Sequence, residues 1–230
     1  MSKNVKWIAA VTLILALLLA GCGESAADVG GRMEPVETEA ADTPVSLGRM
    51  EGGVYTNSYA GFGCTLDSTW SIYGAEELQE LPDNVAEVLK DSEIGEAMSD
   101  MEQIVDMMAE NQELLSSMNV NYQKLEPDIR LAYALMTDEQ IVDAVLEQSQ
   151  MLIDTYAQAG MDVTLLEKTT VNFLGEERVA VRTEGSMYGA DFFMIQVFNY
   201  HAGSYSVTLT LTSYIEDHTA EMLALFYPVE

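Results

Sequence analysis

Residues 190–200, Ala190-Asp191-Phe192-Phe193-Met194-Ile195-Gln196-Val197-Phe198-Asn199-Tyr200, and residues 204–213, Ser204-Tyr205-Ser206-Val207-Thr208-Leu209-Thr210-Leu211-Thr212-Ser213, decide how this chain folds. Successive side chains of a strand point to opposite faces. In the second segment Tyr205, Val207, Leu209 and Leu211 alternate with Ser206, Thr208, Thr210 and Thr212, so one face packs and the other is more polar. The first segment differs. Phe193, Ile195 and Val197 line one face, and Met194, Phe198 and Tyr200 line the other. A strand that is apolar on both sides must be covered on both sides, which places helices on both faces of the sheet. His201-Ala202-Gly203 is the turn between the two strands. Two further strands precede them, at about 163–173 and 177–185, with turns at Gly175-Glu176 and from Gly185 to Gly189. Together they make a four-stranded meander.

Outward from the meander, Thr137 to Ala159 reads as one helix. Thr137-Asp138-Glu139-Gln140 is a capping-box pattern. Ile141, Val142, Val145, Leu146, Leu152, Ile153 and Tyr156 form the apolar face, and Gly160 stands where a C′ glycine belongs. Glu139, Asp143 and Glu147 lie four apart on another side. Calcium takes ligands converging from a loop, so this stripe reads as a solvated face. After the meander, Asp217 caps a C-terminal helix whose apolar residues are Met222, Leu223 and Phe226.

The upstream half is more mixed. Gly74 to Lys90 is helical in pattern but broken by Pro82, with Asp83 a second N-cap. Residues 98–124 fit either a helix carrying Met98, Met101, Ile104, Val105 and Met108, or two strands. The strands would be Met101–Ala109 and Leu115–Leu125, with a turn at Glu110-Asn111-Gln112-Glu113. Met118, Val120 and Tyr122 alternate with Asn119, Asn121 and Gln123, which favours a strand for the second half. Thioethers bind soft copper, but no His or Cys accompanies these methionines, and Met also fills core gaps. The folded domain is expected to begin at Val54. Val54-Tyr55-Thr56 and Gly61 to Leu66 read as short strands, with Phe62, Cys64 and Leu66 on one face and Trp70 as a core anchor. Cys64 has no basic or His neighbour in sequence, so it reads as a small buried hydrophobe.

The N-terminus is a processing signal. Lys3 and Lys6 precede Trp7 to Ala20, an uncharged run in which Thr12 is the only polar side chain. The run ends in Leu19-Ala20-Gly21-Cys22, which resembles the lipobox of bacterial lipoproteins. That resemblance implies removal of residues 1–21 and a diacylglyceryl group on Cys22. Two acyl chains anchor stably where one binds reversibly. With Cys22 consumed, Cys64 is the remaining thiol. Residues 22–53 then read as the lipidated cysteine and an acidic flexible tether. Positions 23–53 hold six glycines, two prolines, seven acidic residues and no aromatic. Such a chain would span ~30 Å. Gly31-Arg32-Met33-Glu34 recurs in it as Gly48-Arg49-Met50-Glu51.

The charge fits this placement. The 230 residues include 38 acidic and 10 basic side chains, net −28. Loss of Lys3 and Lys6 takes the mature chain to −30. Nucleic acid is excluded, since phosphate contacts need Lys and Arg. With 48% hydrophobic residues the chain is not an acidic disordered one. An anionic envelope repels it, so it is expected at the cell membrane, on the extracytoplasmic face, through its lipid.

The order of elements resembles a family. Tyr55-Thr56-Asn57, Gly61-Phe62 through Trp70, the meander, and Ile215 to Tyr227 resemble the PsbP-like domain over most of residues 54–227. The chain is also similar to small lipoproteins of Clostridia-type gut bacteria. The resemblance implies an α+β fold, a PsbP-like α/β/α sandwich whose mostly antiparallel central sheet carries helices on both faces. It also favours two strands at 101–124 over one long helix. It implies binding or assembly and carries no catalytic set with it.

The residues themselves agree. His201 lies in a turn and His218 beside Glu216, Asp217 and Glu221, with no Gly-x-Ser-x-Gly elbow to make a hydrolase. Two histidines without HxH or HxxxH spacing do not suggest zinc. Arg178 and Arg182, two of the eight basic residues of the mature chain, lie four apart on one strand. They are candidate contacts for an anionic ligand or a partner's carboxylate, against pairing with the protein's own acidic surface. The expectation is a non-catalytic binding or assembly lipoprotein with no cofactor beyond its lipid and an unknown protein or small-molecule partner. The alternatives are a small-molecule or cation binder and a surface hydrolase using His218 or His201.

Overall fold

Strand alternation in the sequence becomes a mostly antiparallel, two-sheet fold in the computed structural model, which describes residues 46–79, 103–125, 127–200 and 204–229. The larger sheet has seven strands. They are β4 (Trp70–Ile72), β5 (Gln103–Asn111), β6 (Ser116–Lys124), β7 (Met161–Phe173), β8 (Glu176–Met187), β9 (Ala190–Tyr200) and β10 (Tyr205–Tyr214). Their spatial order is β4-β5-β6-β10-β9-β8-β7. The meander is therefore present, and the hairpin β5–β6 joins it through β6 and β10, with Val120 opposite Leu209. The pair of strands expected within 98–124 is there, although the turn falls at residues 112–115 and Glu110 and Asn111 belong to β5.

Two hairpins of the meander, β7–β8 and β8–β9, close with two-residue turns. Leu174-Gly175 and Tyr188-Gly189 both have positive φ at each residue. Two such residues make the type I′ turn, whose twist matches the flanking strands. Glycine meets that demand at the second position; Leu174 and Tyr188 meet it under strain.

One face of the large sheet packs on two helices, α2 (Asp138–Leu146) and α3 (Ser149–Gln158); α1 (Pro127–Tyr133) precedes them. Thr137 forms the full capping box with Gln140. The single helix expected over 137–159 is broken at Glu147-Gln148. These two residues and Ser149 offer no apolar group to the sheet, and two short rods follow a twisted sheet better than one long one. α2 lies against β7, β8 and β9, and α3 against β7. Their Val142, Val145, Leu152 and Tyr156 bury Val181, Phe192, Met194 and Phe198.

The opposite face carries a four-stranded sheet of β1 (Arg49–Glu51), β2 (Val54–Asn57), β3 (Phe62–Thr65) and β11 (Phe226–Pro228), in the order β1-β2-β3-β11. Tyr55, Phe62, Cys64 and Phe226 meet Ile195, Val197, Val207, Leu209 and Leu211 there, joined by Met222 and Leu223 of α4 (Thr219–Leu223). β9 is thus covered on both sides, as its two apolar faces require. Trp70, expected as a core anchor, is half-buried and packs at the margin of this core.

A short strand lies upstream of the expected start at Val54, since Arg49–Glu51 pairs with Val54–Thr56. The second copy of the Gly-Arg-Met-Glu repeat is thus β1 and its lead-in. The C-terminal helix ends at Leu223, and Phe226 sits in a strand opposite Cys64. His218 occupies the N-cap position, while Asp217 Oδ1 accepts from the Thr219 N–H at 3.0 Å. Residues 1–45, with Cys22 and most of the stretches read as signal and tether, His201, and Pro82 to Lys90 lie outside the described residues.

Candidate functional site

β6 and β10 present alternate residues to the face that α2 and α3 cover farther along. On β6 these are Ser117, Asn119, Asn121 and Gln123; on β10 they are Ser206, Thr208, Thr210 and Thr212. All eight are buried. The register stacks them in cross-strand rows: Glu110–Ser117–Thr212, then Met108–Asn119–Thr210, then Val105–Asn121–Thr208. Directly opposed residues in an antiparallel pair hold their Cβ atoms about 5 Å apart, so the polar pairs of β6 and β10 adjoin, and of the three rows only the first stays polar on β5.

The row that ends on Glu110 is the most unusual. Glu110 Oε1 accepts from the Tyr73 hydroxyl at 2.9 Å. Burial raises the Glu110 carboxyl, partly offset by that hydrogen bond. Ser117 Oγ, Thr212 Oγ1 and the Tyr214 hydroxyl are buried without a hydrogen bond. Burial raises Tyr214, and the negative Glu110 nearby raises it further. A buried polar group without a partner costs about 1–3 kcal/mol, so three on one face of β6 and β10 call for a physical reason.

A second buried centre forms where β1 and β2 meet β5. The register of β5 against β6 shifts between Val105 and Met107, and this bulge turns Asp106 toward the small sheet. Asp106 accepts the Gly48 N–H on both carboxylate oxygens at 2.9 Å, and the Tyr55 hydroxyl on Oδ2 at 2.6 Å. Asn57 Nδ2 is 2.6 Å from the same oxygen and also within reach of the Tyr122 hydroxyl. Burial raises the Asp106 carboxyl, and its three donors pull the other way. Tyr55 is driven far up by burial and by Asp106, so it stays a phenol. Every acceptor here is engaged, which makes this centre a latch between the first strand and the core.

The residues singled out in the sequence fall elsewhere. Arg178 bonds Asp138 at 3.0 Å and lies 3.7 Å from Glu176. Arg182 bonds Glu184 at 2.5 Å and Asp217 at 2.8 Å. Both guanidinium groups are thus held by the chain's own carboxylates, and their partners differ. In the carboxylate stripe, Glu139 and Asp143 both bond Lys168, at 3.0 and 2.7 Å. His218 Nδ1 is 2.5 Å from Glu221 and Nε2 is 3.9 Å from Glu216. Ser213 Oγ bonds the Glu216 carbonyl and accepts the His218 backbone N–H, away from the imidazole. Cys64 is fully buried, and burial pushes its thiol up to about 12. Among the described residues no group of three or more His, Cys, Asp or Glu is placed to hold a metal ion, and no helix is long and apolar enough to cross a membrane.

Sequence reasoning missed Glu110, Ser117, Thr212 and Tyr214. In sequence Glu110 reads as a turn residue and Thr212 as part of a more polar face, and Ser117 and Tyr214 carry no signal of their own. No protein-family model matches this chain, and it has no significant match among curated proteins.

Proposed function

We propose that this chain is an extracytoplasmic lipoprotein that works by binding and not by catalysis. Leu19-Ala20-Gly21-Cys22 supports the anchor, with the diacylglyceryl lipid on Cys22 holding a strongly acidic domain to a membrane that would otherwise repel it. Arg49 marks the end of the tether. We read the two-sheet fold as PsbP-like, an α/β/α sandwich with α2 and α3 as one layer and α4 in the other.

The observation that carries the binding reading is the buried, uncharged polar face of β6 and β10, with unpartnered hydroxyls at Ser117, Thr212 and Tyr214. This favours a small ligand. A protein partner is the second reading, favoured by Leu131 and Leu135, which are 66% and 81% exposed.

Two measurements test the proposal. Cys22→Ala is expected to abolish fatty-acid labelling and release the protein from the membrane fraction; unchanged labelling overturns the anchor. A ligand that binds only the folded state raises its melting temperature. The detergent-solubilised full chain, melted against sugars, amines, metal ions and peptides and crosslinked in intact envelopes, is expected to show a ligand or a partner. The absence of both a melting shift and a crosslink overturns the binding role.

A further inference from the structure

We infer that the outer edge of β7 is a docking edge for an extended, basic segment of a partner protein, which pairs with it as a further strand of the large sheet. This rests on the protein-partner reading of the binding role proposed above and names the partner's chemistry.

The strand order leaves β4 and β7 at the two edges of the large sheet. The edges differ. β4 has three residues and β7 has thirteen. Edges that must stay unpaired are kept short or carry proline, bulges or outward lysines. β7 has no proline, and its one irregularity lies between Val163 and Leu165. From Leu165 to Phe173 it runs in unbroken register with β8. Its one lysine, Lys168, is turned onto α2, where Glu139 and Asp143 hold it at 3.0 and 2.7 Å. The devices that close an edge are thus absent from this stretch.

The turn fixes which backbone groups face outward. In a two-residue type I′ hairpin the residues flanking the turn aim their backbone groups at each other. Phe173 and Glu176 hold those positions around Leu174-Gly175. Backbone groups then alternate sides along the strand. Val171, Thr169, Glu167 and Leu165 aim theirs at β8, while Leu166, Lys168, Thr170 and Asn172 aim theirs away. Thr164 Oγ1 reaches the Glu184 carbonyl at 3.3 Å, which puts that carbonyl on the β7 side, as the alternation requires. Among the described residues no backbone hydrogen bond from a turn or loop meets the four outward residues. Lys168, Thr170 and Asn172 are exposed.

Charge selects the occupant. β7, β8 and α2 carry eight acidic residues and three basic ones. All three bases are already held by carboxylates: Lys168 on α2, Arg178 by Asp138, and Arg182 by Glu184 and Asp217. Asp162, Glu167 and Glu177 stay exposed beside the edge. This surplus attracts an incoming strand that carries lysine or arginine. It repels the chain's own tether, where positions 23–53 hold seven acidic and two basic residues, and it repels a second copy of a chain of net charge −28.

The test is fluorescence titration of a labelled short peptide of alternating lysine and valine with the detergent-solubilised full chain. One control is the same peptide N-methylated throughout, which keeps its charge and loses its N–H donors. The other is a peptide of alternating glutamate and valine. The lysine peptide is expected to bind saturably, and less tightly as salt rises; the controls are not expected to bind. Thr170→Pro removes an outward N–H at a position where an edge strand accepts proline. It is expected to weaken binding roughly tenfold or more. Circular dichroism checks its fold, and the methylated peptide keeps the test open on the wild type if that variant fails to fold. Amide exchange at Leu166, Lys168, Thr170 and Asn172 is expected to be fast in the free chain and slowed by the lysine peptide.

The inference is overturned by no saturable binding of the lysine peptide, by equal binding of either control, or by wild-type affinity in folded Thr170→Pro. Slow exchange of the four amides in the free chain also overturns it, because a second copy or a segment of the chain itself then covers the edge. If the edge fails while envelopes still yield a crosslinked partner or a ligand shifts the melt, the docking edge falls and the binding role stands. If nothing binds at all, both fall.

Discussion

Replacing Asp106 by alanine should destabilise the domain by about 3–5 kcal/mol. The carboxylate accepts the Gly48 N–H, the Tyr55 hydroxyl and the Asn57 amide. A hydrogen bond to a charged group contributes about 1.5–3 kcal/mol, and a donor left buried without a partner costs about 1–3 kcal/mol. Three such losses exceed the stated range, and relief of the carboxylate's own burial offsets part of them. Against a total stability of about 5–15 kcal/mol this is a large fraction. Tyr55→Phe removes one of the three donors and should cost about 1.5–3 kcal/mol. The two changes share a bond, so the double variant should cost less than their sum. Urea melts at pH 7 measure all three, with the slope unchanged if the denatured state is unaffected. Hydrogen exchange should show the amides of Arg49–Glu51 opening earlier in Asp106→Ala, since Gly48 leads directly into that strand. The pH dependence has a definite sign. Burial raises the folded Asp106 carboxyl above its unfolded value of about 3.9. Its contribution is full below that unfolded value and is lost as pH rises through the folded one. Relative to Asp106→Asn, which does not titrate, the wild type should gain stability as pH falls across this window. A cost below about 1 kcal/mol for Asp106→Ala, strict additivity, or a pH trend of opposite sign would refute the latch.

Two smaller predictions follow from the core and the turns. Cys64, buried and with its thiol pushed up to about 12, should resist a thiol reagent at pH 8 and react only as the protein unfolds; prompt labelling of the native protein would contradict its placement. Ile215 has φ of 72° and is 59% exposed. A left-handed conformation costs an L-residue about 1–2 kcal/mol, so Ile215→Gly should raise the urea midpoint. A lower midpoint would show that the exposed side chain stabilises more than its backbone strain costs.

The parts of the fold legible in the sequence are those where a local signal agrees with the tertiary environment. β9 announces a doubly covered strand through Phe193, Ile195 and Val197 against Met194 and Phe198. Thr137 and Gln140 announce a helix start, and both halves of the capping box form. Where tertiary contacts outvote the local signal, the reading slips. Arg49-Met50-Glu51 looks like linker because its strand depends on pairing with β2 and on the distant Asp106. Phe226 looks like the last turn of a helix because Met222 and Leu223 precede it at helical spacing; its real partner is Cys64, far away in sequence. The helix at 137–159 looks continuous because apolar residues stand on both sides of Glu147-Gln148, yet the chain forms two helices, Asp138–Leu146 and Ser149–Gln158.

The candidate site was illegible for a different reason, and that reason is informative. Alternation of apolar and polar residues marks one face as packed and the other only as more polar. A solvated face of so acidic a protein should carry charge, as Glu139 and Asp143 do where they hold Lys168 at the surface. The eight alternate positions of β6 and β10 carry none: they are Ser, Thr, Asn and Gln throughout. Neutral polar side chains without a single Lys, Arg, Asp or Glu are what a buried polar face requires, because burying a charge costs far more than burying an amide or hydroxyl. The departure from neutrality comes at Glu110, at the end of the row that holds Ser117 and Thr212, whose hydroxyls lack hydrogen bonds. A face selected only for packing would be apolar, and one selected only for solubility would be charged. Uncharged polarity, buried and ending on one carboxylate, is the composition expected of a site that recognises a ligand through directional hydrogen bonds and one charge.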